Sequence, residues 1–205
     1  MPLILRGIEI GEGFWHPEVY KKARSFEEFD VVIGSVHQVR HPSHQEPYSQ
    51  IDFSSFSTDE IEAYLYAYFT DVLELIETTD FDVLAHLSCP LRYIVGKYDR
   101  QVELSRYRDV ITKILKKIIK MGIALEVNTS AHAMLGDWMP PTEVLKLYRE
   151  LGGYLITLGS DAHIPGNASA NFEKALKMLA SLGFSSIYYY KHRRGYQLHI
   201  GKEQL

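Results

Sequence analysis

Short apolar runs rich in β-branched residues alternate along this chain with longer stretches whose apolar positions recur every three or four residues. The short runs are Leu3–Ile10, Phe29–Val36, Phe81–Leu87, Gly122–Asn128, Tyr154–Gly159 and Ser186–Tyr190. Each predicts a strand, and their continuous apolar character suits strands covered on both faces. Between the second and third runs, Ile61, Leu65, Phe69, Val72 and Ile76 make a helical stripe over Thr58–Thr79. Ser57 and Glu60 stand at capping-box spacing at its start. A second helix is predicted over Glu103–Met121, with Val110, Ile111, Ile114, Leu115 and Ile118 on one face and Gly122 as its stop. A third runs from Pro141 to Leu151 and ends at Gly152-Gly153. A fourth carries Phe172, Ala175, Leu176 and Leu179 before Gly183. Strand followed by helix, repeated, predicts an α/β fold of parallel strands joined by right-handed crossovers. No repeat, low-complexity tract or linker divides residues 1–205, so one domain is expected. The polar, aperiodic segment Gln38–Ser57 reads as a long loop, of the kind that is functional or mobile.

Composition narrows the function classes. With 46% hydrophobic and 23% charged residues in 205, the chain has an ordinary globular balance and one sizeable core. Lys+Arg 22 against Asp+Glu 26 leaves a net charge of −4, without the basic footprint of a nucleic-acid or acidic-membrane partner. Cys89 is the only cysteine, which forbids an intrachain disulfide and fits a reducing compartment. The first residues are interrupted by Arg6 and Glu9, and no later apolar stretch approaches the roughly 18 residues a spanning helix needs. A cytoplasmic location is expected.

The candidate chemistry lies in where the ionisable residues fall. Glu9 ends the first run, His37 the second and His86 the third, Glu126 and Asn128 end the fourth, and Asp161 and His163 follow the fifth. In parallel α/β folds the carboxyl ends of the strands gather on one face. Taken singly, Glu9 reads as a surface carboxylate, His37 and His86 as core histidines, and Asp161 as a turn cap. Five successive strands delivering nitrogen or oxygen ligands to one rim points instead to a site for Zn, Mn or Fe. Asp161 and His163 are one residue apart, so in an extended segment both project the same way. Glu126 and Asn128 are candidates to orient a ligand histidine. His41 and His44 are expected to be solvated, His192 and His199, in a terminal basic hairpin-like segment, structural or exposed, and Cys89 a buried filler without a base. There is no Walker loop, Rossmann glycine fingerprint or nucleophile elbow.

The strand-end segments Gly7-Ile-Glu9-Ile, Gly34-Ser-Val-His37, Leu84-Ala-His86-Leu, Glu126-Val-Asn-Thr-Ser130 and Gly159-Ser-Asp-Ala-His163 resemble, in order and spacing, the polymerase-and-histidinol-phosphatase family. Pro90-Leu-Arg-Tyr93, Leu147–Gly153 and Ile156–His163 are similar to its stand-alone histidinol-phosphatase branch. The resemblance covers essentially the whole chain. It implies a distorted seven-stranded, TIM-like (β/α) barrel, a centre of up to three divalent metal ions, and hydrolysis of a small phosphate monoester. L-Histidinol phosphate, a substrate of histidine biosynthesis, is the one implied; another small phosphate or nucleotide, or a catalytically incomplete metal-binding remnant, are the alternatives. On this resemblance Glu9 is similar to the bridging carboxylate, and His37 and His86 to its partners on one metal. Asp161 and His163 resemble ligands to the others and the catalytic pair. Relatives commonly place a basic residue after the position of Asn128, where this chain has Ser130-Ala-His-Ala-Met134, so His132 and Arg92 are the candidate substrate contacts. Family members also open with a His-x-His pair, whereas this sequence begins at the strand matching their third. A barrel lacking two strand–helix units is therefore expected, with fewer ions held and a homo-oligomer covering the seam along Leu3–Ile10.

Overall fold

The computed structural model describes residues 3–26 and 28–201. Its elements are, in order, β1 (Gly7–Gly11), α1 (Pro17–Ser25), β2 (Val31–Ser35), α2 (Thr58–Thr78), β3 (Val83–Leu84), α3 (Leu91–Ile94) and α4 (Arg108–Met121). There follow β4 (Ala124–Asn128), α5 (His132–Leu135), α6 (Thr142–Glu150), β5 (Ile156–Gly159), α7 (Phe172–Ser181), β6 (Ser186–Lys191) and β7 (Arg194–His199). The first five strands form one sheet in the order β1-β2-β3-β4-β5, and every pairing is parallel. Neighbours in sequence are thus neighbours in the sheet, the winding of a barrel wall. No ladder joins β1 to β5 among the described residues, so the two are edges of this sheet.

The long helix α2 forms where its stripe and its cap agree. The Ser57 side chain accepts from the Glu60 backbone N–H, and the Glu60 carboxylate accepts from Ser57 in return. Ile61, Tyr64, Leu65, Tyr68, Phe69, Val72, Leu75 and Ile76 are buried along its inner face. They pack against α4, whose Val110, Ile111, Ile114, Leu115 and Ile118 are buried in turn. Each such side chain contributes roughly 1.5–3 kcal/mol on burial. Gly122 closes α4 in the left-handed region at φ 70°. All five residues of β4 are buried, as expected of a central parallel strand.

Several strand expectations ran long, for reasons visible in the backbone. The ladder of β1 begins only at Gly7, because the Arg6 N–H is taken by the Asp30 carboxylate, and Leu3 and Ile4 are exposed. β3 is cut to two residues because the chain leaves the sheet through His86 (φ 22°) and Ser88 (φ 77°). The run Ser186–Tyr190 does not continue the parallel series. It folds back through His192 and Arg193, both at positive φ, and pairs antiparallel with β7 in a separate hairpin. The sequence reading also passed over α1. The segment after Gln38 is no loose loop: Val39, Tyr48, Ile51, Phe53 and Phe56 are buried in the main core. Asp71 of α2, itself buried, grips its Arg40 through the backbone N–H and the guanidinium.

Candidate metal centre

Glu9, His37 and His86 converge where β1, β2 and β3 end. Their ligand atoms all lie within 4.8 Å of one another. Glu9 Oε1 is 3.3 Å from His37 Nε2 and 3.2 Å from His86 Nε2. Two ligands that share one tetrahedral ion at about 2.1 Å stand roughly 3.4 Å apart, so the two separations from Glu9 suit a shared ion, while the group as a whole is held within 4.8 Å. Burial pushes the Glu9 carboxyl up, but the hydrogen bond and charge of His86, the charge of His37 and the Ser35 hydroxyl outweigh it and hold the group at about 2. It is therefore ionised, as a ligand must be. Burial and the neighbouring His86 push the His37 imidazole down, toward the neutral ligand form. His86 is pushed up, since burial is outweighed by Cys89, Glu9 and Glu126 around it.

The backbones of both histidines are held by carboxylates. Glu126, buried at the end of β4, accepts the His86 N–H at 2.8 Å and an amide N–H of Asn128 at 3.2 Å. Glu126 comes so close to β5 that a Cβ on Gly159 would meet its Oε1 at 1.9 Å. Of the pair expected to orient a ligand, Glu126 thus meets the main chain of His86 rather than its ring, and Asn128 braces Glu126. Burial pushes the Glu126 carboxyl up. His86 Nδ1 is buried without a hydrogen-bond partner beside the buried Cys89.

A cavity of about 500 Å³ opens over this cluster. Glu9, Glu12, His37 and His86 line one part, and Cys89, Arg92, Asp161 and His163 are also on its wall. Arg92 Nη1 stands 3.8 Å from Asp161 Oδ2, and its guanidinium donates to Ser130 Oγ. Ser130 in turn donates to Asn128 Oδ1 at 2.6 Å, so a polar chain runs from Glu126 through Asn128 and Ser130 to Arg92 and Asp161. Asp161 and His163 share the cavity but are not in the converging group. The extended geometry expected of them is absent: Asp161 sits at φ 47°, and His163 is 88% exposed with Nε2 3.3 Å from Asp161 Oδ1. His132 is not on the cavity wall; its ring stacks on Trp138 at 4.0 Å.

Four other histidines take other partners. His41 and His44 stack on each other, half-buried rather than solvated, and His44 pairs with Glu46. His192 meets Asp30 and His199 meets Ser186. A second cavity of similar size, at Arg24, Phe29 and Arg193, is lined by arginines already engaged by Asp80 and Asp82. Sequence reasoning missed Glu12. Its only outward signal was a glutamate between two glycines just past a strand that already carried Glu9.

Known proteins offer a comparison for this geometry. The PHP domain family model matches residues 3–130. A probable histidinol-phosphatase of Clostridium acetobutylicum is 30% identical over 197 residues, spanning 94% of this chain and 73% of that protein. A probable histidinol-phosphatase of Thermotoga maritima is 32% identical over 117 residues, covering 57% of this chain and 48% of its own length. Among solved structures, the histidinol phosphate phosphatase of Lactococcus lactis, complexed with zinc, L-histidinol and phosphate, superposes with a TM-score of 0.73 at 21% identity. That superposition covers 92% of this chain and 70% of the other, and it shows a shared α/β fold. Among the described residues no helix is long and apolar enough to cross a membrane.

Proposed function

This chain belongs to the PHP domain family, and from that premise we propose that it is a metal-dependent phosphate monoester hydrolase acting on L-histidinol phosphate. The observation that carries the reading is the convergence of Glu9, His37 and His86 at separations suited to one shared ion. Zinc, manganese or iron fits this nitrogen–oxygen donor set. Glu9, His37 and His86 would hold such an ion, which would supply polarisation of a phosphoryl oxygen and hydroxide near neutral pH. The chain's own residues supply the rest.

Arg92 is the guanidinium on the cavity wall, and it is aimed by Ser130 and Asp161. Its fork suits the phosphate oxygens. Asp161 steadies the exposed His163, which we place at the leaving oxygen as proton donor. Where further ions are held, Asp161 and His163 would be their ligands instead, and His163 would then not serve as the proton donor. The cavity volume of about 500 Å³ suits a small molecule. His132, stacked away from the wall, is left out of this scheme. We also place the protein in the cytoplasm, where the lone Cys89 stays reduced, and in a self-association along the outer edge of β1.

Phosphate release from L-histidinol phosphate and from a panel of other phosphate monoesters tests the assignment. With zinc or manganese supplied, histidinol phosphate is expected to be the preferred substrate. Chelation should abolish turnover, and His86→Ala should lower it at least about a hundredfold, more than the roughly 10–100-fold that losing a group that only orients a ligand costs. Turnover indifferent to chelation and to His86→Ala would refute the reading. Preference for another phosphate would move the chain to a different substrate within the family.

A further inference from the structure

The strand that brings His37 to the centre stops short of it. β2 ends at Ser35, and its pairing with β3 extends only over Ile33 and Gly34. Beyond that point the sheet offers the His37 backbone no ladder. The His37 ring meets the Ser35 hydroxyl at 3.3 Å from Nδ1 and the rings of Tyr48 and His86, yet the side chain is 43% exposed whereas that of His86 is 4% exposed. A ligand this open needs its main chain fixed by something else.

The something else is Glu12. One of its carboxylate oxygens accepts the backbone N–H of His37 and, at 2.9 Å, that of Gln38. The Glu12 N–H donates to Ser35 O at 3.1 Å, which ties the same residue to the end of β2. The His37 carbonyl is held from the other side by the Tyr48 N–H at 3.0 Å. Glu12 adopts φ 49°, a left-handed conformation that a non-glycine residue takes up only under constraint. That turn lies at the end of β1, where the carboxylate faces back toward β2. The arrangement repeats the one at His86, whose N–H is taken by Glu126 just past the end of β3.

We propose that Glu12 is a positioning residue of the metal centre: by clamping the His37–Gln38 backbone it sets where His37 Nε2 stands relative to Glu9. The loop after β1 then has two tasks, delivering the Glu9 ligand and fixing the histidine opposite. The oxygen does the clamping through hydrogen-bond acceptance, so the charge is dispensable and the reach is not. This rests on the metal-centre reading above.

Cobalt(II) binding to the chain, followed by titration calorimetry and by the visible absorption of the bound ion, tests it without reference to activity. Alanine is the informative replacement, because it bears the left-handed φ about as poorly as glutamate does. Glu12→Ala should weaken cobalt binding at least about tenfold, the range typical for loss of a group that orients a ligand, and should alter the visible bands. Glu12→Gln keeps an acceptor oxygen at the same reach and should restore binding to within about threefold of the parent, with its spectrum. If Glu12→Ala does not fold, Glu12→Asp, which withdraws the oxygen by one methylene, should show the same weakening. Parent-like affinity and spectrum in Glu12→Ala, or in Glu12→Asp where it stands in, would overturn the positioning role while leaving the centre intact. A Glu12→Gln variant as impaired as Glu12→Ala would overturn it too, by making the charge the active feature. A parent chain that takes up no cobalt would remove the centre itself.

Discussion

Gly159 shows how closely single residues are fitted around this centre. Its missing side chain is what lets the Glu126 carboxylate lie against β5 and reach the His86 N–H. Gly159→Ala should therefore push Glu126 aside, with a stability loss of about 1–3 kcal/mol from overpacking and weaker metal binding at His86. Thermal unfolding and metal titration of the variant check both; a variant equal to the parent in both would show that the contact relaxes freely. Glu9, His37 and His86 were legible in the sequence because each closes an apolar run, and strand ends gather on one rim. Glu12 was not, because a glutamate between glycines reads as a solvated turn until its φ of 49° and its two N–H partners are known. Asp161 and His163 line the same cavity as Glu9, but not through the extended segment expected of them, since a two-residue spacing implies a common direction only in extended backbone.

Helices were easier to read than strands. α2 announced itself by its stripe of Ile61, Leu65, Phe69, Val72 and Ile76 and by its cap, and the structure starts it at Thr58. Because the capping box is fully formed, Ser57→Ala should cost about 1 kcal/mol, measurable by urea unfolding; an unchanged midpoint would mean that water replaces the cap at no cost. A continuous apolar run says less about where a ladder stops. Phe81–Leu87 is apolar for most of its length, yet only Val83 and Leu84 pair, because the rest serves to carry His86 into the site and Leu87 into the core. The segment after Gln38 misled in the opposite sense. Its polar residues hid Tyr48, Ile51, Phe53 and Phe56, spaced without helix or strand period, which plug the core and bring Tyr48 to the cavity wall.

At the scale of the molecule, parallel strands wound in sequence order place five strand ends on one face, and that single fact gives the site its position. The family resemblance implied a barrel and so this winding; the alternation of runs and stripes predicted the parallel series. It overextended it to Ser186–Tyr190, which lies against β5 but turns back on itself as a hairpin. The basic Lys191-His-Arg-Arg194 tract that makes the turn was visible, but its pairing with Asp30, Asp80 and Asp82 was not, because those contacts span more than a hundred residues. The whole functional account rests on three side chains from three neighbouring strands holding one ion. Diffraction from crystals soaked in zinc and measured across the zinc absorption edge tests that most directly. The account predicts an anomalous peak bounded by the Glu9 carboxylate and the Nε2 atoms of His37 and His86, at about 2.0–2.2 Å from each, and its loss in His86→Ala. Zinc found only elsewhere on the chain, with these three side chains free of it, would contradict the account.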